Sequence, residues 1–131
     1  MAGSCTTTYE TKGNVRVYKW SWTSHTDGSV SEVGGLAGIT GRLVAAMFVP
    51  ATGDDQPSDQ YDVVLNDQYA IDVLGGAGAN LSQDQNGATN YSVLPFGTYF
   101  KRYLYDATLT PGVTNAGSGK KGDILILVED L

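Results

Sequence analysis

The sequence has little of what catalytic and metal centres are usually built from. It holds one cysteine, Cys5, and one histidine, His25. A lone cysteine excludes an internal disulfide and any zinc site made of several thiolates, and it gives no sign of an oxidising compartment. With a single imidazole no serine or cysteine triad can be assembled, and His25 reads as an exposed residue of the 24–28 turn. Basic residues are also scarce, 8 Lys and Arg against 14 Asp and Glu, for a net charge of −6. From residue 43 to residue 100 there is no Lys or Arg, whereas Asp54, Asp55, Asp59, Asp62, Asp67, Asp72 and Asp84 all fall there. Cationic contacts to phosphate supply nearly all sequence-independent nucleic-acid affinity, so DNA and RNA are not expected partners. The longest apolar run, 43–50, is far short of the roughly 20 residues of a bilayer-spanning helix. Nothing near Met1 reads as a signal core, so the expectation is a product that is cytosolic, or made in a cytosol and assembled there, with no membrane partner.

What is present suits a folded β domain. A chain of 131 residues that is 41% hydrophobic and 17% charged fits one domain, 1–131, and is too apolar for disorder. Helical periodicity is nearly absent; stretches rich in Val, Ile, Tyr, Trp and Thr recur between Gly, Asn, Asp and Pro. The predicted strands are 6–10, 15–23, 38–50, 60–66, 69–74, 91–94, 98–109 and 123–128. The segment 29–32 leads from the Asp27-Gly28 turn into a Gly34-Gly35 loop. In 15–23, Arg16, Tyr18, Trp20 and Trp22 share one side and Val15 and Val17 the other. In 38–50, Leu43, Ala45, Met47 and Val49 are assigned to one face and Val44, Ala46 and Phe48 to the opposite one. Both faces are apolar, the mark of a central strand. The same holds for Ile124-Leu125-Ile126-Leu127-Val128. The stretch 75–90 reads as a long loop with room for one helical turn. The expected architecture is all-β: an antiparallel β-sandwich, jelly-roll-like, of about eight strands.

The remaining chemical signals are weak. The aspartates read first as turn residues; calcium at Asp54, Asp55 and Asp59 would lack the ordered spacing of an EF-hand loop. The glycine cluster 75–80 lacks the Lys-Ser/Thr ending of a phosphate-binding loop and reads as a structural turn. The acidic residues offer carboxylate pairs, but no spacing marks one for glycoside hydrolysis. No enzyme activity and no cofactor is therefore expected. The aromatics Trp20, Trp22, Tyr99, Tyr103 and Tyr105 read as core or subunit interface before they read as a stacking platform for a sugar or base. Trp20, Trp22, Tyr99, Tyr103, Ile124 and Ile126 are the candidate interface residues. The basic pairs Lys101-Arg102 and Lys120-Lys121 make too small a patch for a nucleic-acid groove.

Several stretches resemble a family of small structural proteins of tailed bacteriophages. They are Trp22-Thr23-Ser24 with Asp27-Gly28, Phe48-Val49-Pro50 with Gln56-Pro57-Ser58-Asp59 and Tyr61-Asp62-Val63, Ile71-Asp72-Val73-Leu74-Gly75 with Gly78-Ala79-Asn80-Leu81-Ser82, and Thr114-Asn115-Ala116-Gly117. The resemblance runs from about residue 15 to residue 128 and is carried by turn and packing signatures, not by catalytic motifs. It implies a virion component made in the host cytoplasm, foremost a capsid decoration (cement) protein on the head surface. Its implied partners are the major capsid protein and further copies of itself, as a trimer. Another virion part (neck, tail or head fibre) and a carbohydrate-binding module are the competing expectations.

Overall fold

The computed structural model describes residues 3–30, 36–93 and 103–130. These form seven strands: β1 (Ser4–Lys12), β2 (Val15–Thr23), β3 (Leu36–Pro50), β4 (Asp62–Asn66), β5 (Tyr91–Val93), β6 (Tyr103–Thr114) and β7 (Lys121–Glu129). All pairings are antiparallel, in the order β1-β2-β7-β3-β6-β4, with β5 also on β3. Apart from two single 3-10 turns, Gly53–Asp55 and Ala88–Asn90, no helix occurs among the described residues, and none there could cross a membrane.

The sheet is open and strongly curled. β6 pairs β3 through its first half and β4 through its second, so it carries the chain from the main sheet into a flap over one face. The curl is measured by Trp22 on β2 and Tyr61 just before β4. These lie far apart in strand order, yet their rings meet at a centroid distance of 5.8 Å. Tyr18, Trp20 and Trp22 of β2, Ile124, Ile126 and Val128 of β7, and Leu43, Ala46 and Phe48 of β3 enter this interior with Val63, Leu65, Leu109 and Val113. Gly122 is required there: a Cβ at this position would lie 2.6 Å from the Trp22 indole.

Two sequence expectations change. The strand expected at 69–74 is a turn, and the described residues hold seven strands. Asp67 Oδ1 accepts from the N–H of Tyr69 (2.9 Å) and Ile71 (3.1 Å), and Asp72 takes those of Leu65, Leu74 and Gly76. Side chains that capture backbone donors this way compete with a ladder. The faces of β3 also change partway along. Leu43 pairs with Val128 and Ala45 with Leu127, with Val44 left over as a bulge. The extra residue reverses the alternation, so Leu43 joins Ala46 and Phe48 inside while Ala45, Met47 and Val49 face outward. The start of the strand expected at 98–109, the turn at Pro95-Phe96-Gly97 and the Gly34-Gly35 loop lie outside the described residues.

Candidate functional site

Strand alternation gives the sheet a second, outward face. Residues opposite one another in antiparallel strands share a face. The pairs Val17↔Leu127, Lys19↔Leu125 and Ser21↔Asp123 join β2 to β7, and Met47↔Leu125 and Val49↔Asp123 join β3 to β7. Tyr91 of β5 lies opposite Met47 and Tyr103 of β6 opposite Arg42. Val17, Met47, Val49, Leu125 and Leu127 thus form a half-buried apolar stripe, bordered by the exposed rings of Tyr91 and Tyr103.

The charges on this face offset one another. Lys12, Lys19, Arg42 and Lys121 stand against Glu10, Asp123 and Glu129, so half of the chain's basic residues gather on one side of an acidic molecule. Arg42 is paired with Glu129, and Lys19 Nζ lies 3.8 Å from Asp123. Exposed pairs of this kind contribute only about 0–1 kcal/mol each. Their consequence is a face without the acidic excess of the rest of the chain. At one end, Ser4, Thr6, Ser21, Thr23, Lys121 and Asp123 border a shallow open depression of about 320 Å³.

The candidate interface residues fall elsewhere. Trp20, Trp22, Ile124 and Ile126 are at most 2% exposed. They point into the protein's own interior and cannot reach a partner while the fold is intact, so the expectation of an interface at these four positions does not hold. Tyr103 remains on the surface at 49% exposure, and Tyr99 lies outside the described residues. A sugar platform on Trp20 and Trp22 loses its rings for the same reason. The indole N–H groups of both tryptophans and the Tyr61 hydroxyl are buried without hydrogen-bond partners among the described residues. Burial pushes the Tyr61 phenol well above its ordinary value. Exposed tyrosines occur instead at 9, 69, 91, 103 and 105.

Many of the titratable groups hold structure. His25 is half-buried rather than exposed, and its Nδ1 accepts the Gly3 N–H at 2.7 Å. Asp59, Asp62, Asp67 and Asp72 all accept backbone N–H groups. Asp27 accepts from the Ser29 hydroxyl and N–H, which holds its carboxyl below the usual range. Lys120 donates to the Asp54 carbonyl and Lys121 lies 3.8 Å from Asp55, while Lys101 and Arg102 fall outside the described residues. No group of three or more His, Cys, Asp or Glu among the described residues is placed to hold a metal ion. The Cys5 thiol is pushed up to about 11 by burial and then by the nearby Asp123 carboxylate, a poor state for a nucleophile.

The apolar strands are legible in the sequence, but which side of them faces outward is not. The missed signal is the row of residues between the aromatics and isoleucines: Val17, Lys19, Leu125 and Leu127. Compared with known protein families, curated proteins and solved structures, the chain matches none.

Proposed function

We propose that this chain acts by binding, as a structural protein of a bacteriophage virion. In this reading it decorates the capsid surface and stabilises contacts between major capsid protein subunits. The supporting observation is the outward face of the sheet. It offers an apolar stripe, charges that offset one another and a tyrosine border on a molecule that is otherwise acidic, the composition of a surface to be covered by another protein. Many copies on a lattice make weak single contacts sufficient, and the acidic remainder keeps the outside soluble and repels nucleic acid. The curled sheet with its β4–β6 flap is read as a jelly-roll-like sandwich whose free face is the docking face.

The test is co-sedimentation of the purified chain with assembled heads of the phage that carries the gene, and with free coat subunits. Wild type should pellet with heads and not with subunits. Leu127→Asp should stay folded and lose binding at least tenfold. A chain that never pellets with heads, or a Leu127→Asp variant that pellets as well as wild type, overturns the proposal. A neck, tail or head-fibre position would show as a copy number in the virion far below that of the coat protein.

A further inference from the structure

The two margins of the sheet are finished differently. On the β4 side the chain closes its own edge. The Val63 N–H donates to the Gly78 carbonyl at 2.7 Å, the Leu65 N–H to Asp72 Oδ1 at 3.0 Å, and the Leu65 carbonyl accepts from the Val73 N–H at 2.8 Å. Next to it the Gln68 amide caps β6, accepting from the Thr108 N–H at 3.1 Å and donating to the Asp106 carbonyl at 3.4 Å. On the other side, among the described residues, β1 pairs only β2. Its nine residues run in unbroken register, without a bulge and without proline. Bulges, proline, dense charge and covering loops are how natural sheets blunt an edge, and β1 carries only Glu10 and Lys12.

Which groups face the open side follows from the hairpin. β1 and β2 are joined by two residues, Gly13 and Asn14, with Gly13 at φ +62°. In such a hairpin the flanking residues, Lys12 and Val15, exchange both ladder bonds. The even-numbered residues of β1 therefore bond to β2, and Cys5, Thr7, Tyr9 and Thr11 direct their N–H and C=O groups outward.

We infer that the β1 edge pairs with β1 of a second copy, antiparallel about a twofold axis at Thr8. This register pairs all nine residues. It sets Cys5 opposite Thr11, Thr7 opposite Tyr9, Thr6 opposite Glu10 and Ser4 opposite Lys12 of the other copy, so no like charges meet. Tyr opposite Thr is a favourable cross-strand pair. β1 carries one charge of each sign in a chain of net charge −6, so copies meet there without the repulsion their acidic surfaces impose. The axis stands perpendicular to the sheet, which places both outward faces on one side as a single wider surface. A twofold pair replaces the trimer that the phage resemblance implies, and the inference stands independently of the capsid reading.

The mass of the full chain in solution, by light scattering, tests it. Wild type should run at twice 13.9 kDa. Thr7→Pro removes one edge-facing N–H and leaves the bonds to β2 untouched, so it should run at 13.9 kDa with an unchanged circular dichroism spectrum. A wild-type monomer or trimer, or a folded Thr7→Pro chain of undiminished mass, overturns the inference. Should Thr7→Pro unfold, oxidation of a Thr11→Cys variant decides. Within one copy positions 5 and 11 are roughly 20 Å apart along the strand, so a disulfide between Cys5 and the new thiol must join two copies. Its formation, absent in wild type, supports the pairing; its failure to form overturns it. A wild-type monomer that still pellets with heads would refute the edge pairing and leave the docking face standing.

Discussion

The two faces of the sheet are made of the same strands and differ by one residue of phase. Along β7, Ile124, Ile126 and Val128 are fully buried, while Leu125 and Leu127 between them are half-buried and face outward. By hydropathy the two sets are nearly equivalent. Among the described residues only the buried set has a flap over it, where β6 leaves the main sheet to pair with β4. What separates the core face from the outward face in this molecule is topology and not residue type.

The sharpest way to break the comparison is to truncate neighbours. Ile124→Ala should cost about 2–5 kcal/mol, because it empties a filled interior. Leu125→Ala should cost about 1 kcal/mol or less, in keeping with its partial burial. Urea denaturation of the two variants checks this, and equal losses would mean that the outward face is as covered as the inward one. Gly122→Val probes the inner face from the opposite direction. Its side chain would collide with the Trp22 indole, and such overpacking should cost about 1–3 kcal/mol in a thermal melt. Asp72→Ala tests the flap. Releasing the N–H groups of Leu65, Leu74 and Gly76 should cost about 1–2 kcal/mol and raise hydrogen exchange in β4 before it does so in β2.

The smallest effect belongs to Cys5 at the open margin. Its pKa is raised to about 11 in the folded chain from an ordinary 9.0. The folded state therefore holds a proton that the unfolded state releases between those values, and stability should fall as pH rises through that window. At pH 8, alkylation by iodoacetamide should be slower in the native than in the urea-unfolded chain, by up to about a hundredfold. Equal rates would show Cys5 to be freely solvated.

Much of the fold is legible residue by residue. The alternation in Val15–Thr23 puts Tyr18, Trp20 and Trp22 on one side, and they are found there together. The two-sided apolar run at 124–128 is a central strand between β2 and β3. Legibility fails where side chains outcompete the pattern. Tyr69, Ile71 and Val73 alternate like a strand, but Asp67 and Asp72 capture the backbone donors and wind the segment into turns. It fails again at Val44, where one bulged residue exchanges the faces of β3 without any local composition signal. The burial of the largest side chains is not legible for a related reason: alternation groups Trp20 with Trp22 and Ile124 with Ile126, but only the curl of the sheet makes that side the interior.

The sequence by itself determined that this chain is built of antiparallel strands, because β-branched and aromatic residues at period two, cut by Gly and Asn turns, admit little else. It also determined the acidic balance and the presence of a single thiol. Which apolar face is covered, which margin of the sheet is closed and where the basic residues gather were decided only by tertiary structure. Each depends on contacts between segments distant along the chain, such as Trp22 on Tyr61, Gly78 on Val63 and Arg42 with Glu129. No local pattern encodes those contacts.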